Sequence, residues 1–120
     1  MVERNIKLNF DEYQKLTRKT DLGTSAQDSI RPGWLYYVLG IAGEAGEVVE
    51  KVKKLFRDKN GNIDEEFLDF LIKEMGDCLW YQARLADSLG ISFSKIAETN
   101  LKKLLRRLEN GTLHGEGDNR

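Results

Sequence analysis

The sequence predicts an all-α fold: an antiparallel helical bundle of about four helices, with two long central helices, completed by oligomerisation. Three observations carry that expectation. Long stretches on either side of Asn60-Gly61 repeat apolar residues at intervals of three and four, the spacing of one helix face. The chain contains one proline, so little interrupts a helix. The connection at Asp58 to Asn62 is short, and short connections favour antiparallel neighbours.

Each element has its own justification. Asn9 and Glu12 have capping-box spacing and open a first helix that runs through Tyr13 and Leu16 to about Lys19. Thr20 to Gly33 is rich in small and polar residues, contains Pro32-Gly33 and reads as a surface loop long enough to be functional. From Trp34 to about Arg57, Leu35, Val38, Leu39, Ala42, Ala45, Val49, Val52 and Phe56 form the main apolar arc of a long helix. Ile41, Val48 and Leu55 stand beside that arc, and apolar residues on more than one side imply a homodimer or homotetramer. Asp58 to Asn62 is turn chemistry, since Asn and Gly accept positive φ. The second long helix runs from about Asp64 to Leu89, carries Phe67, Leu68, Leu71, Met75, Cys78, Leu79 and Ala86, and stops at Gly90. Ser92 opens a fourth helix that continues to about Leu108 and closes at Asn110-Gly111. Residues 1–120 therefore form a single all-α domain, with a helical core over about 34–108 and a flexible tail over 109–120.

Composition bounds the function. At 120 residues one domain is expected, burying about two thirds of its unfolded surface. With 40% hydrophobic and 32% charged residues the chain is not of the disordered class. A net charge of −1 gives no electrostatic reason to bind nucleic acid. No apolar run approaches the roughly 20 residues that span a bilayer, and the start has no signal-peptide core, so no membrane partner and a cytoplasmic location are expected. Cys78 is the only cysteine, which excludes an intrachain disulfide and a zinc-ligand cluster.

The chemistry lies in two acidic couplets, Glu44 with Glu47 and Glu74 with Asp77, placed as mirror images about Asn60-Gly61. Glu47 stands 13 residues before Asn60 and Glu74 stands 13 after Gly61, while Glu44 and Asp77 lie 16 out on either side. Residues three apart share a helix face, so two helices folded back on each other would bring all four carboxylates to one level, about 20 Å from the turn. Carboxylates in close array repel unless a cation sits among them. Oxygen-only ligation suits Mg²⁺, with Mn²⁺ as the alternative. Gly43, Gly46 and Gly76 flank the couplets, and glycine inside a helix costs roughly 1 kcal/mol relative to Ala. That cost implies close approach of another helix or a ligand.

The strings Leu39-Gly40-Ile41-Ala42-Gly43-Glu44-Ala45-Gly46-Glu47-Val48 and Glu74-Met75-Gly76-Asp77-Cys78-Leu79-Trp80-Tyr81 resemble the metal-binding signature of the MazG-like all-α nucleoside triphosphate pyrophosphohydrolases. Asn100-Leu101-Lys102-Lys103-Leu104-Leu105-Arg106-Arg107 is similar to that family's N-x-x-K-L-x-x-R helix, and the resemblance extends over about residues 34 to 120. At position 43 many relatives carry an acid where this chain has glycine, so that acid's role is not available here.

The resemblance implies Mg²⁺-dependent hydrolysis of a nucleoside triphosphate to the monophosphate and pyrophosphate, in nucleotide-pool house-cleaning. Glu44, Glu47, Glu74 and Asp77 would be the metal-holding and catalytic acids. Lys51 or Lys54, with Lys103 and Arg107, are placed to meet phosphate charge. Asn100 shares a face with Lys103 and takes a substrate role, and Tyr81, four residues past Asp77, either meets the nucleotide or packs in the core. Trp34 and Trp80 read as core or interface residues, and His114 as inert. Within the same superfamily, dUTP and phosphoribosyl-ATP pyrophosphohydrolases use similar couplets and are the alternatives. A di-iron carboxylate bundle needs Glu-x-x-His pairs and is disfavoured. The non-enzymatic alternative is a helical oligomerisation or regulatory module with surface acids.

Overall fold

The computed structural model describes residues 7–22 and 32–120, and shows four α-helices and no strand among them. They are α1 (Phe10–Thr17), α2 (Trp34–Lys59), α3 (Glu65–Ser88) and α4 (Phe93–Glu109), with a 3₁₀ turn over Arg18–Thr20 after α1. The anticipated boundaries hold to within two residues at the ends of the long helices. The loop expected over Thr20 to Gly33 lies mostly outside the described residues.

Caps set those boundaries. The side chains of Asn9, Asp64 and Ser92 each accept a hydrogen bond from the backbone N–H three residues on, satisfying donors that the first helical turn leaves open. Asn60 ends α2 in the left-handed conformation at φ 53°, and Gly61 follows at φ 75°. The Asn60 and Gly61 N–H groups both donate to the Leu55 carbonyl.

The α2–α3 contact is the largest between elements, and its partners pair off in reverse order. Lys59 meets Asp64, Lys51 lies over Phe70, Gly40 abuts Tyr81, and Tyr37 lies beside Arg84. The α2 stripe that faces α3 is thus Tyr37, Gly40, Glu44, Lys51 and Leu55, of which Tyr37 and Leu55 are buried. This corrects the apolar arc read from periodicity. Leu39, Val49 and Phe56, members of that arc, are 64%, 68% and 65% exposed, whereas Leu55, beside it, is buried. Both stripes have helical spacing, so periodicity alone cannot say which one meets α3.

A small core closes the opposite end of the pair. Ala83, Ala86 and Phe93 are buried, with Tyr13 and Leu79 packed on them. Phe10 meets the Phe93 ring edge-on at 5.4 Å and Tyr13 stacks on it at 6.2 Å. Buried Gln14 locks α1 to the start of α4, donating to the Ile91 carbonyl at 2.8 Å and accepting from the Phe93 N–H at 3.1 Å. Beside it, buried Arg84 donates to Asp21 at 2.9 Å and to Asp87 at 2.7 Å, while the Tyr37 hydroxyl donates to the same Asp21 carboxylate. Arg18 adds a two-pronged pair with Asp87.

Candidate metal and active site

The α2–α3 contact sets three carboxylates together. Glu44 from α2 and Glu74 and Asp77 from α3 each offer an oxygen, and the three lie within 4.8 Å of one another. The i,i+3 spacing of Glu74 and Asp77 puts both on one face of α3, and the reverse pairing of the helices brings Glu44 opposite them. Burial pushes the Glu44 carboxyl above its usual range, and the negative charges of Asp77 and Glu74, a hydrogen bond with Glu74, and Glu47 push in the same direction. The Cys78 thiol is raised by burial and by the same three acids.

Glu47 is exposed and stands outside that group of three, near enough to act on Glu44 through its charge. Lys51 Nζ sits 4.0 Å over the Phe70 ring, and Lys54 pairs with Glu50 at 3.7 Å. Both line a concavity toward the turn, with Asp58, Lys59 and Phe67. Tyr81 is at the acids: it lines a recess with Glu44, Asp77, Trp80 and Thr20. A hydrogen bond with Tyr36, reinforced by burial, pushes its phenol up to about 12. Asn100 and Lys103 line a separate concavity on α4 with Ile91, Lys95 and Thr99. Arg107 is buried and bonded to Gly117 and Asp118.

The glycines behave differently from expectation. Among the described residues, a side chain added at Gly43, Gly46 or Gly76 would meet nothing within 4 Å, so none of the described helices approaches closely there. The close approach is at Gly40, where an added Cβ would overlap the Tyr81 ring. Helix geometry explains the exchange. At about 100° per residue, Gly40 and Glu44 share the face toward α3, while Gly43 and Gly46 point away.

Thr20 and Trp80 were not singled out as site residues. The Trp80 indole N–H donates to the Thr20 hydroxyl at 2.8 Å, so the 3₁₀ turn after α1 becomes a wall of the recess beside the acids. No local motif marks Thr20. Its part depends on the Arg84 and Asp21 contacts that dock this turn on α3.

The donor set is all oxygen, all carboxylate, and contributed by two facing helices, which fits a hard divalent cation and not a thiolate or imidazole metal. A scaffold that is all-helical among the described residues, with such a cluster beside an aromatic recess, defines a class of helical proteins whose carboxylates could hold a metal. Within that class the assignment is specific: residues 35–112 match the MazG nucleotide pyrophosphohydrolase domain, and the chain belongs to this family. It is also 43% identical over 115 residues to the Gene 37 protein of Mycobacterium phage L5, covering 94% of this chain and 100% of that one. No solved structure matches the chain. Among the described residues no helix is long and apolar enough to cross a membrane.

Proposed function

We propose that this protein is a divalent-metal-dependent nucleoside triphosphate pyrophosphohydrolase that releases the monophosphate and pyrophosphate. The observation that supports it most is the convergence of Glu44, Glu74 and Asp77 oxygens within 4.8 Å on a chain of the MazG nucleotide pyrophosphohydrolase family. The reverse-order contacts between α2 and α3 support an antiparallel pair, the geometry that the mirrored couplets require.

Glu44, Glu74 and Asp77 would hold Mg²⁺ or Mn²⁺, with exposed Glu47 joining through a rotamer change or a water. A bound cation there supplies charge neutralisation for phosphate oxygens and a more acidic water. The chain's own groups account for the rest. Burial and the neighbouring acids raise the Glu44 carboxyl, which makes it a better proton acceptor than an ordinary carboxylate. Tyr81 and Trp80 form an aromatic wall next to the acids, suited to a nucleobase face. The Tyr81 phenol stays protonated at neutral pH and is a hydrogen-bond donor there. Lys51, Lys54, Asn100, Lys103 and Arg107 are the substrate-binding candidates among polar groups.

The apolar side chains left open on α2 and α3 support a homo-oligomer: Leu39, Val49, Phe56, Ile72 and Met75 are all more than half exposed. A cytoplasmic location and a small-molecule nucleotide partner belong to the same reading.

The test is pyrophosphate release from a panel of canonical and modified nucleoside triphosphates, including dUTP and phosphoribosyl-ATP, with Mg²⁺. Glu44→Gln and Asp77→Asn should each lower turnover at least about 100-fold with helical content intact. Turnover equal to wild type in both variants refutes the assignment.

A further inference from the structure

The C-terminal stretch makes contacts that the reading above leaves unused. Arg107 on α4 is 3% exposed. Its Nη2 donates to the carbonyls of Gly117 and Asp118 at 3.3 and 2.8 Å, and to Asp118 Oδ1 at 3.3 Å. One turn earlier on the same helix, Lys103 Nζ lies 3.4 Å from that same Oδ1. Arg120 closes the segment on itself, donating to the carbonyls of Thr112 and Leu113 at 3.2 Å each and to that of Gly117. Gly117 takes φ 84°, a conformation open to glycine, where the chain turns back toward α4. Residues 112–120 therefore form a closed strap that sets one carboxylate oxygen between two cations. Within the same strap and helix, Arg107 Nε and Thr112 Oγ1 are buried with no hydrogen-bond partner among the described residues.

We propose that the Asp118 carboxylate is an intramolecular occupant of an anion site built by Lys103 and Arg107, and that a polyphosphate anion enters this site by displacing it. The inference rests on the nucleotide reading above. Carboxylate and phosphoryl oxygens are interchangeable acceptors for ammonium and guanidinium donors, so a site that holds one is shaped for the other. The two kinds of Arg107 contact divide the labour. Bonds to the Gly117 and Asp118 carbonyls anchor the buried guanidinium, while the Asp118 carboxylate bonded to it is 84% exposed. The carboxylate side of both ion pairs lies in solvent, so it can be exchanged for a more highly charged anion without opening the fold. Lys103, 32% exposed, can follow the incoming anion without any movement of α4.

Calorimetric binding of inorganic tripolyphosphate to the full-length protein in EDTA tests the inference, because the acid cluster then holds no cation to attract the probe. Asp118→Asn and Asp118→Ser should each bind about two- to fivefold tighter than wild type, and Lys103→Ala should lose binding in either background. Nucleotide hydrolysis by Asp118→Asn should show a lower KM at unchanged kcat. Equal or weaker tripolyphosphate binding in both Asp118 variants overturns the inference. So does equal tightening by Asp69→Asn, an exposed acid on α3 that reports net charge alone. If no triphosphate is hydrolysed, the proposed function fails, yet the tripolyphosphate comparison still decides the fate of the strap.

Discussion

The two ends of the α2–α3 pair have the same apolar periodicity and opposite fates. At the end near Tyr37 and Ala83, α1, the 3₁₀ turn and α4 cover the pair, and Ala83, Ala86 and Phe93 are buried. Toward the Asn60 turn nothing among the described residues covers it, and Val49, Phe56 and Ile72 are exposed. Burial is therefore decided by which elements return to a helix face, and not by the face's own pattern. The acids sit at the border, with Glu44 half-buried and Asp77 exposed. That position gives Glu44 a raised carboxyl while leaving the cluster open to a ligand.

Breaking the packed end should have the largest effect. Arg84→Met removes the buried guanidinium that bridges Asp21 and Asp87 and is expected to cost about 3 kcal/mol in chemical denaturation, because both ion pairs are largely shielded from water. Next, Gly40→Ala forces a methyl into the Tyr81 ring and should cost about 1–3 kcal/mol, with a change in the near-ultraviolet signal of the tyrosines. By contrast Gly43→Ala or Gly76→Ala, at the open face, should stabilise the isolated chain by up to about 1 kcal/mol. A loss at those two positions would show that something outside the chain lies against them in solution.

The smallest effect separates the two regions by pH. Arg18, aided by Arg84, holds Asp87 down to about 2, below the unfolded value, so its stabilisation is present above roughly pH 4 and is lost as pH falls through about 2. Glu44 has the opposite sign. Its folded value is raised, so its share of stability is full below the unfolded value near pH 4.3 and is lost as pH rises through the folded one. In denaturation measured without divalent metal, Asp87→Asn should flatten the acid limb by about 1 kcal/mol, and Glu44→Gln should remove the loss of stability that accompanies Glu44 ionisation.

Much of this was legible in the sequence because it is local. The cap side chains of Asn9, Asp64 and Ser92, the left-handed Asn60-Gly61 turn and the i,i+3 acids are short-range signals with one structural meaning. The reach of Arg84 to Asp21 spans 63 positions, and the Trp80 bond to Thr20 spans 60, so neither leaves a local trace. Arg107 shows the same limit. Its place in a basic motif suits a phosphate, yet the fold turns the C-terminal strap onto it. The glycines show it too, since a glycine's cost is readable from sequence but its neighbour is not.

Glu44, Glu74 and Asp77 are proposed to hold a divalent cation. Thermal melting of the EDTA-treated wild type and of a Glu44→Gln, Asp77→Asn double variant, each titrated with Mg²⁺, tests it most directly. The wild type should rise by several degrees as the ion binds the folded state, while the variant, relieved of its repulsion, should melt higher in EDTA and respond little. An equal Mg²⁺ response in both proteins, or none in the wild type, would contradict the claim.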